Sequence, residues 1–498
     1  MGQLSEDEIA LLAHAEVSAP RTPIPTQIVS SDEYRPLPQT PAQALVEARL
    51  MAMGEDLARK QGLSRRRFFQ SAAGMAAGFV ALNEVFGPLF DASYAEAATP
   101  DRANERAQGL RGQFIMDMHT HFLRDDTRLV QFANLREAVR GYGWNPQLRD
   151  KQTLEDVKFH NYFKEIFLDS DTKIALISSA PSEIKRDWFL TNAQMAEARD
   201  MVNKANNPGG KRLFSHAIFT PGMDGWLDEL DKGLALKPQS MKGYTVGDNT
   251  HKDLSRHPWR MDDEKVTYRG YEKMVKAGQK IVCVHKGLFD RAAGKKYPNL
   301  EPYASCADVG KAAKDWPELT FVIYHAGYRL GPPDDALAEF ERTGRLEWVS
   351  DLAEVPAKYG VSNVYGDLGQ VFATTMIAQP RVCAAIVGTL VKGLGADHVC
   401  WGTDAVWTGS PQWQIEGLRR LEIPDDMRAK YGFAELGPAD GPVKRAVFGG
   451  NNARLYKIDP AHVASLDGDR FAAIKAEYDS QGPVPSLRRY GYMARAEG

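Results

Sequence analysis

The sequence predicts an α/β fold, a (β/α)8 TIM barrel with insertions, and three observations carry that prediction. From residue 112 onward, eight short apolar segments rich in Val, Ile, Phe and Tyr alternate with helical stretches. Strand–helix alternation implies a parallel sheet, and eight such units close into a barrel. No G-x-G-x-x-G turn follows any segment, which argues against the nucleotide-binding open sheet as the alternative.

Each segment has its place in the repeat. QFIMDM (113–118) opens it, followed by KIALISSA (173–180), RLFSHAIFT (212–220) and SMKGYTV (240–246). KIVCVH (280–285), TFVIYH (320–325), VSNVYGDLG (361–369) and HVCWGTD (398–404) complete the set. Each has the length of a buried strand. The clearest helix between them is TYRGYEKMVKAGQK (267–280), with Tyr271, Met274 and Val275 on one face and Gly278 near its stop. A barrel of this kind takes about 250 residues, more with insertions, and the span 112–456 accommodates it.

Bulk composition narrows the function classes. With 43% hydrophobic and 26% charged residues, the 498-residue chain is an ordinary globular protein with enough core to need no disulfide staples. A formal net charge of −3 gives no footprint for a nucleic-acid partner. The four cysteines (Cys283, Cys306, Cys383, Cys400) are scattered and form no CxxC pair.

The first hundred residues read differently. Residues 20–45 are rich in Pro, Thr, Ser and Gln, as in an extended solvated segment, and 42–61 reads as a short polar helix. Ser64–Leu82, SRRRFFQSAAGMAAGFVAL, places a basic triplet before a run of small and apolar residues. That run falls short of the roughly 20 apolar residues that span a bilayer. DASYAEAATP follows, with Ala92, Ala95 and Ala97 placed as in an A-x-A cleavage site. The stretch resembles a twin-arginine signal: Ser64, Arg65, Arg66, Phe68 and Phe69 match the pattern, and Gln70 stands where Lys is usual. The resemblance implies export of a folded chain with its cofactor in place, the twin-arginine machinery as a partner, and a periplasmic location. The expected organisation is a disordered, polar N-terminal extension (1–63), a signal region (64–97) and a barrel with a C-terminal extension (98–498). The mature chain is then expected to start near residues 96–98. The long lead before the arginines is either a real extension or a sign that translation starts at Met51 or Met53.

In a barrel of this type the chemistry sits at the C-terminal ends of the strands. The first expected strand runs into His119 and His121, the fifth ends in His285, the sixth in His325 and the eighth in Asp404, while the seventh carries Asp367. Alternation points His119 and His121 the same way, toward the barrel axis. Two neutral imidazoles converging there offer lone pairs of the kind a metal ion uses. Any one of these histidines alone reads more simply as a hydrogen-bonded core residue, but the coincidence of four strand ends favours a site. Asp117 shares the parity of His119 one layer deeper and is expected to support the site without ligating.

The motifs DMHTH (117–121), KGY (242–244), VHKG (284–287), YHAG (324–327) and WGTDAVW (401–407), with the closing VFGGNNARLYKI (447–458), resemble the amidohydrolase superfamily. The similarity is to its amidohydrolase-related branch, which includes aminocarboxymuconate-semialdehyde decarboxylase and several lactonases, and it covers roughly residues 112–458. It implies that His119, His121, His285 and Asp404 bind one divalent metal, Zn2+ first, with Mn2+ and Fe2+ open. It implies further that His325 acts as acid/base or holds the reacting group, and that Asp404 also accepts a proton from attacking water. Binuclear members carry a bridging carbamylated lysine at the end of strand four. Lys242 instead aligns with the KG of this branch, so one metal is expected. A homodimer is common in the branch.

Beyond the strand ends, Tyr244, Lys286 and Arg329 are candidate carboxylate binders, and Trp407 a platform for a ring; the long first loop adds Tyr142 and Trp144. These point to an acidic, aromatic or cyclic small-molecule substrate, although loop lysines and arginines more often meet water. Asp367 either orients a ligand histidine or solvates the barrel rim. Cys283 and Cys400 read as barrel filling, His160 and His216 as structural, and His251 and His257 as part of a solvated loop.

Three functions are compatible with this pattern. The favoured one is a metal-dependent hydrolase of a small amide, ester or lactone using metal-activated water. The alternatives are a non-oxidative decarboxylase of an unsaturated or aromatic acid on the same scaffold, and a periplasmic binding protein without chemistry.

Overall fold

A computed structural model describes residues 22–28, 37–142, 151, 153–464 and 468–481. The eight expected strands are present: β1 (Met116–His121), β2 (Ile174–Ser178), β3 (Leu213–Phe219), β4 (Ser240–Tyr244), β5 (Ile281–His285), β6 (Thr320–Tyr324), β7 (Val364–Asp367) and β8 (Val399–Cys400). All neighbours pair in parallel, in the order β1 to β8. Nearly every strand residue is buried. That burial is why the strands read as continuous apolar runs.

The seam between β8 and β1 brings the ends of the sheet together. Met118 N donates to Trp401 O (3.1 Å), Asp404 N to His119 O (2.8 Å) and His121 N to Ala405 O (2.6 Å). A helix after the barrel, Asn451–Tyr456, braces the same seam. Asn452 Nδ2 donates to the carbonyls of Met116 (2.7 Å) and Trp401 (3.1 Å), and Asn451 Nδ2 to Val399 (2.7 Å). The register of β1 against β2 shifts between Asp117 and Thr120, a bulge at Met118 and His119. The first strand also runs three residues further than QFIMDM, so both histidines lie within it.

The described part of the N-terminal region differs from the expectation that it lies outside the fold. Residues 41–110 form five helices: α1 (Pro41–Lys60), α2 (Arg65–Phe69), α3 (Ala72–Phe86), α4 (Tyr94–Ala98) and α5 (Pro100–Leu110). A Thr40–Gln43 capping box with Pro41 starts α1, Ser64 caps α2, and Ser71 caps α3. Val46, Leu50, Met53 and Leu57, at helical spacing, join one core with Phe68, Phe69, Phe79 and the outer layer of the barrel. The small residues that resemble a signal's apolar run are close-approach positions. A Cβ on Gly74 would overlap the Phe68 carbonyl and one on Gly78 would crowd Ile24, while Gly54 in α1 leaves room for the Phe69 ring. Ala97, in the expected cleavage site, is fully buried. Within the expected disordered extension (1–63), residues 1–21 and 29–36 lie outside the described residues. No helix among the described residues is long and apolar enough to cross a membrane.

Arg420 ties this region to the barrel. Its guanidinium bonds Glu96 (2.6 and 3.0 Å) and the Asp91 carbonyl (2.9 Å), and lies over the Phe79 ring (5.5 Å). Phe90 and Leu421 form an antiparallel bridge beside it. Both partners of the ion pair are largely shielded from water, so removing one leaves the other uncompensated. Arg420→Ala is expected to cost about 3–5 kcal/mol in denaturant unfolding of the full chain. A loss below about 1 kcal/mol, the scale of an exposed pair, would mean that the helices rest loosely on the barrel.

Candidate metal centre

At the C-terminal end of the barrel, Asp404 Oδ1 lies 3.1 Å from His119 Nε2 and 3.2 Å from His121 Nε2. All three side chains are buried. Neither contact has hydrogen-bond geometry. His119 Nε2, both ring nitrogens of His121 and both carboxylate oxygens of Asp404 are therefore buried without a hydrogen-bond partner. Each such atom costs about 1–3 kcal/mol if nothing satisfies it, and one divalent cation would satisfy His119 Nε2, one ring nitrogen of His121 and the Asp404 carboxylate together. The ligand atoms of His119, His121 and Asp404 all lie within 4.8 Å of one another. These residues fit a metal ion.

The electrostatics agree. Burial disfavours the Asp404 carboxylate, but His119 and His121 hold its carboxyl well below the usual range. Burial pushes His121 down to about 4, which leaves its lone pairs free near neutral pH. For His119, burial is outweighed by Asp404 and Asp367, and the pKa is raised.

Asp367 is buried against His119 and does not solvate the rim: its Oδ2 lies 2.9 Å from His119 Nδ1. The Asp367 carboxylate accepts, so Nδ1 carries the hydrogen and Nε2 keeps the lone pair. The same oxygen accepts from Gly369 N (3.1 Å) and His325 N (3.3 Å). Two glycines make room for the pair. A Cβ on Gly369 would overlap His119 Nδ1, and one on Gly402 would overlap Asp367 Oδ1. Asp117, as expected, supports the site from below. It accepts from His119 N and Thr403 N (both 3.1 Å) and from the Thr403 hydroxyl, while burial pushes it up to about 7. His325 (φ 59°) and Asp404 (φ 61°) both sit in left-handed backbone, strain of the kind that concentrates at functional sites.

His285 and His325 form a second pair beside this trio, and His325 also groups with His119 and Asp367, its ring centroid 4.8 Å from that of His119. His285 is in no group of metal-ligand atoms among the described residues, so the expected four-ligand set is only partly assembled. Its Nδ1 lies 3.0 Å from His325 Nε2, and His325 Nδ1 lies 2.9 Å from the Gly369 carbonyl. A carbonyl only accepts, so His325 Nδ1 is the donor and its Nε2 the acceptor. His285 Nδ1 then carries a hydrogen and its Nε2 a lone pair. Burial lowers both pKa values, His325 to about 3, consistent with two neutral rings. His325, expected as the acid/base, is thus hydrogen-bonded to His285 and to the Gly369 carbonyl.

The expected carboxylate binders are placed otherwise. Lys286 Nζ is buried against Asp308 (2.8 Å) and the Tyr303 carbonyl (2.8 Å). Arg329 pairs with Glu301 (2.9 Å) and Glu347 (2.6 Å) and lies over Trp348. Each of these expected substrate binders is thus engaged with a carboxylate of its own. Tyr244 stacks on His285 (centroids 4.6 Å apart, 21°), and Trp407 stacks on His121 (5.4 Å, 21°). Phe189 meets His121 edge-on at 6.0 Å. Phe132, on the helix Gln131–Gly141, packs against Trp407 (5.2 Å) and Phe189 (5.3 Å). The cluster therefore lies beneath an aromatic roof. Tyr142 is exposed, and Trp144 lies outside the described residues. His251 pairs with Asp187 and His257 with Glu183, away from the trio.

Sequence reasoning missed Gly369, Gly402, Thr403 and Tyr324 as site residues. The glycines flank the acidic residues in DLG and WGTD, the one signal available for them.

A family model described as amidohydrolase matches residues 116–458. No curated protein matches the chain. Among solved structures, 5-carboxyvanillate decarboxylase from Sphingomonas paucimobilis is 15% identical, covering 70% of this chain and 100% of its own, with a TM-score of 0.38. A dihydroxybenzoic acid decarboxylase from Polaromonas, solved with manganese and an inhibitor, is 13% identical (69% and 97% covered, TM-score 0.38). An amidohydrolase from Burkholderia multivorans with bound HEPES is 14% identical (70% and 100% covered, TM-score 0.39).

Asp367→Asn is expected to weaken metal binding about 10–100-fold, the usual effect of removing a group that orients a ligand imidazole. Chelator competition measures it, with circular dichroism as the folding control. An unchanged affinity would remove Asp367 from the centre.

Proposed function

Because the chain belongs to the amidohydrolase family, we propose that it is a metal-dependent hydrolase of a small, largely apolar amide, ester or lactone. The observation that carries this reading is the convergence of His119, His121 and Asp404 through buried atoms without hydrogen-bond partners. When bound, a divalent ion supplies the Lewis acidity that polarises a carbonyl and acidifies water. Asp367 holds His119 in the tautomer that presents Nε2. Asp404, ionised by its two histidines, is available to accept a proton from the attacking water. His285 presents an Nε2 lone pair and passes charge toward His325, whose far nitrogen is held by the Gly369 carbonyl. Trp407, Phe189 and Phe132 keep bulk water from this end of the barrel. The His/carboxylate donor set suits Zn2+, and also Mn2+ or Fe2+.

The aromatic roof, and the internal pairing of Lys286 and Arg329, support an apolar substrate over an acidic one. One observation favours the second reading, non-oxidative decarboxylation. Lys242 places an ammonium in the barrel interior, 3.3 Å from the Tyr324 ring centre and 5.0 Å from that of Tyr244, as a cation for a carboxylate would be placed. Export by the twin-arginine route rests on the Ser64–Phe69 motif. Sequencing the N-terminus of the protein from its native host tests it.

Removal of metal by a chelator is expected to abolish turnover, and Asp404→Asn to lower kcat about 10²–10⁴-fold. A panel of lactones, esters and amides is assayed beside aromatic acids with detection of carbon dioxide. Carbon dioxide release without any hydrolysis would replace the first reading by the second.

A further inference from the structure

Beneath the metal centre, a chain of hydrogen bonds crosses the barrel core. Tyr456 Oη lies 2.9 Å from Ser240 Oγ, and Ser240 Oγ lies 2.8 Å from His216 Nδ1. His216 Nε2 lies 2.9 Å from Tyr324 Oη, which lies 2.6 Å from the Met118 carbonyl. Ser240, His216 and Tyr324 are buried, and Tyr456 half-buried.

The directions of these bonds follow from the last of them. Met118 O only accepts, so the single Tyr324 hydroxyl hydrogen goes there. Tyr324 Oη must then accept from His216, which makes His216 the Nε2–H tautomer. Its Nδ1 accepts from Ser240, and Ser240 accepts from Tyr456. Every member donates once, in one direction, from the helix Asn451–Tyr456 to β1. The chain requires a neutral imidazole, and burial lowers the pKa of His216 well below its ordinary value.

The terminus of the chain gives it meaning. Met118 lies in the β1 bulge, next to the ligand His119. The Tyr324 ring lies against His119 with centroids 3.9 Å apart. His119 is thus gripped twice: its Nδ1 by Asp367, and its face and backbone by Tyr324.

We propose that His216 is a positioning residue for the metal centre, acting through Tyr324 to hold His119 and the β1 bulge in the ligating geometry. The inference rests on the metal centre proposed above.

The test is metal affinity of the full chain, by chelator competition with Zn2+ and with Mn2+, beside the thermal midpoint of the metal-free protein. His216→Leu is expected to weaken binding about 10-fold, within the range for groups that orient ligands. His216→Gln, which keeps an amide donor near Nε2, is expected to restore most of it. Tyr324→Phe should match His216→Leu, and the double variant should be no weaker than either single one, since both act through one hydroxyl. Nitrogen-15 shifts of labelled histidine should show His216 as the Nε2–H tautomer. Additive losses, or a lowered midpoint with unchanged affinity in His216→Leu, would overturn the proposal. If His216→Leu does not fold, Tyr324→Phe and His216→Gln decide it: loss in the first and retention in the second support it, and equal affinity in both overturns it. A wild-type chain that binds no metal defeats the parent reading instead.

Discussion

Burying three carboxylates at one end of a barrel is the constraint on which the rest of this structure depends. Asp117, Asp367 and Asp404 are all shielded from water, and an isolated buried charge costs many kcal/mol. Each is answered by groups on neighbouring strands. Asp117 draws on the backbone of His119 and Thr403, and Asp367 on the His119 ring and two amides, while Asp404 faces two imidazoles without a hydrogen bond and is left for a cation. All three sets of partners include β1, and Asp117 and Asp404 join it to the chain after β8. The contacts that neutralise the acids are therefore the contacts that bring the ends of the sheet together. Binding geometry and barrel closure are one arrangement.

The barrel was legible because its strands are buried on both faces and so are apolar throughout. Segments such as KIVCVH and TFVIYH announce their limits to within a residue or so. The polar strand ends were legible for the opposite reason, since His119, His121 and Asp404 have no place in an apolar barrel unless something uses them. Tertiary choices were not legible. Lys286 and Arg329 stand beside the right motifs, but their carboxylate partners are 18 to 28 residues away in sequence and no local pattern reveals them. His285 has the right position too, yet its bond to His325 draws it from the trio. Residues 64–97 read two ways because a run of Ala and Gly is both what an export signal contains and what close helix packing demands. Gly74 and Gly78 are small because Phe68 and Ile24 lie against them.

The site itself divides between strand-end groups and the rings that cover them. The strand-end histidines and aspartates supply chemistry that suits many substrates. Trp407, Phe189, Phe132 and Tyr244 come from loops, a helix and a strand end, and they cover the cluster with rings in place of free cations. Specificity on this scaffold belongs to such connecting segments. Lys286 and Arg329 are engaged in internal ion pairs, and the rings of Trp407, Phe189 and Phe132 pack together over His121.

The roof also bears on time. Ions exchange quickly at open sites because water and competing ligands attack the coordination sphere directly. Here Trp407 stacks on His121, and the ligands have almost no contact with solvent. An ion captured under that roof leaves only when the aromatic layer opens, so its residence is set by the breathing of the protein more than by the strength of its bonds. The metal found in a purified sample would then record which ion was present when the chain closed around it. Occupancy would then be a memory of the conditions under which the chain folded.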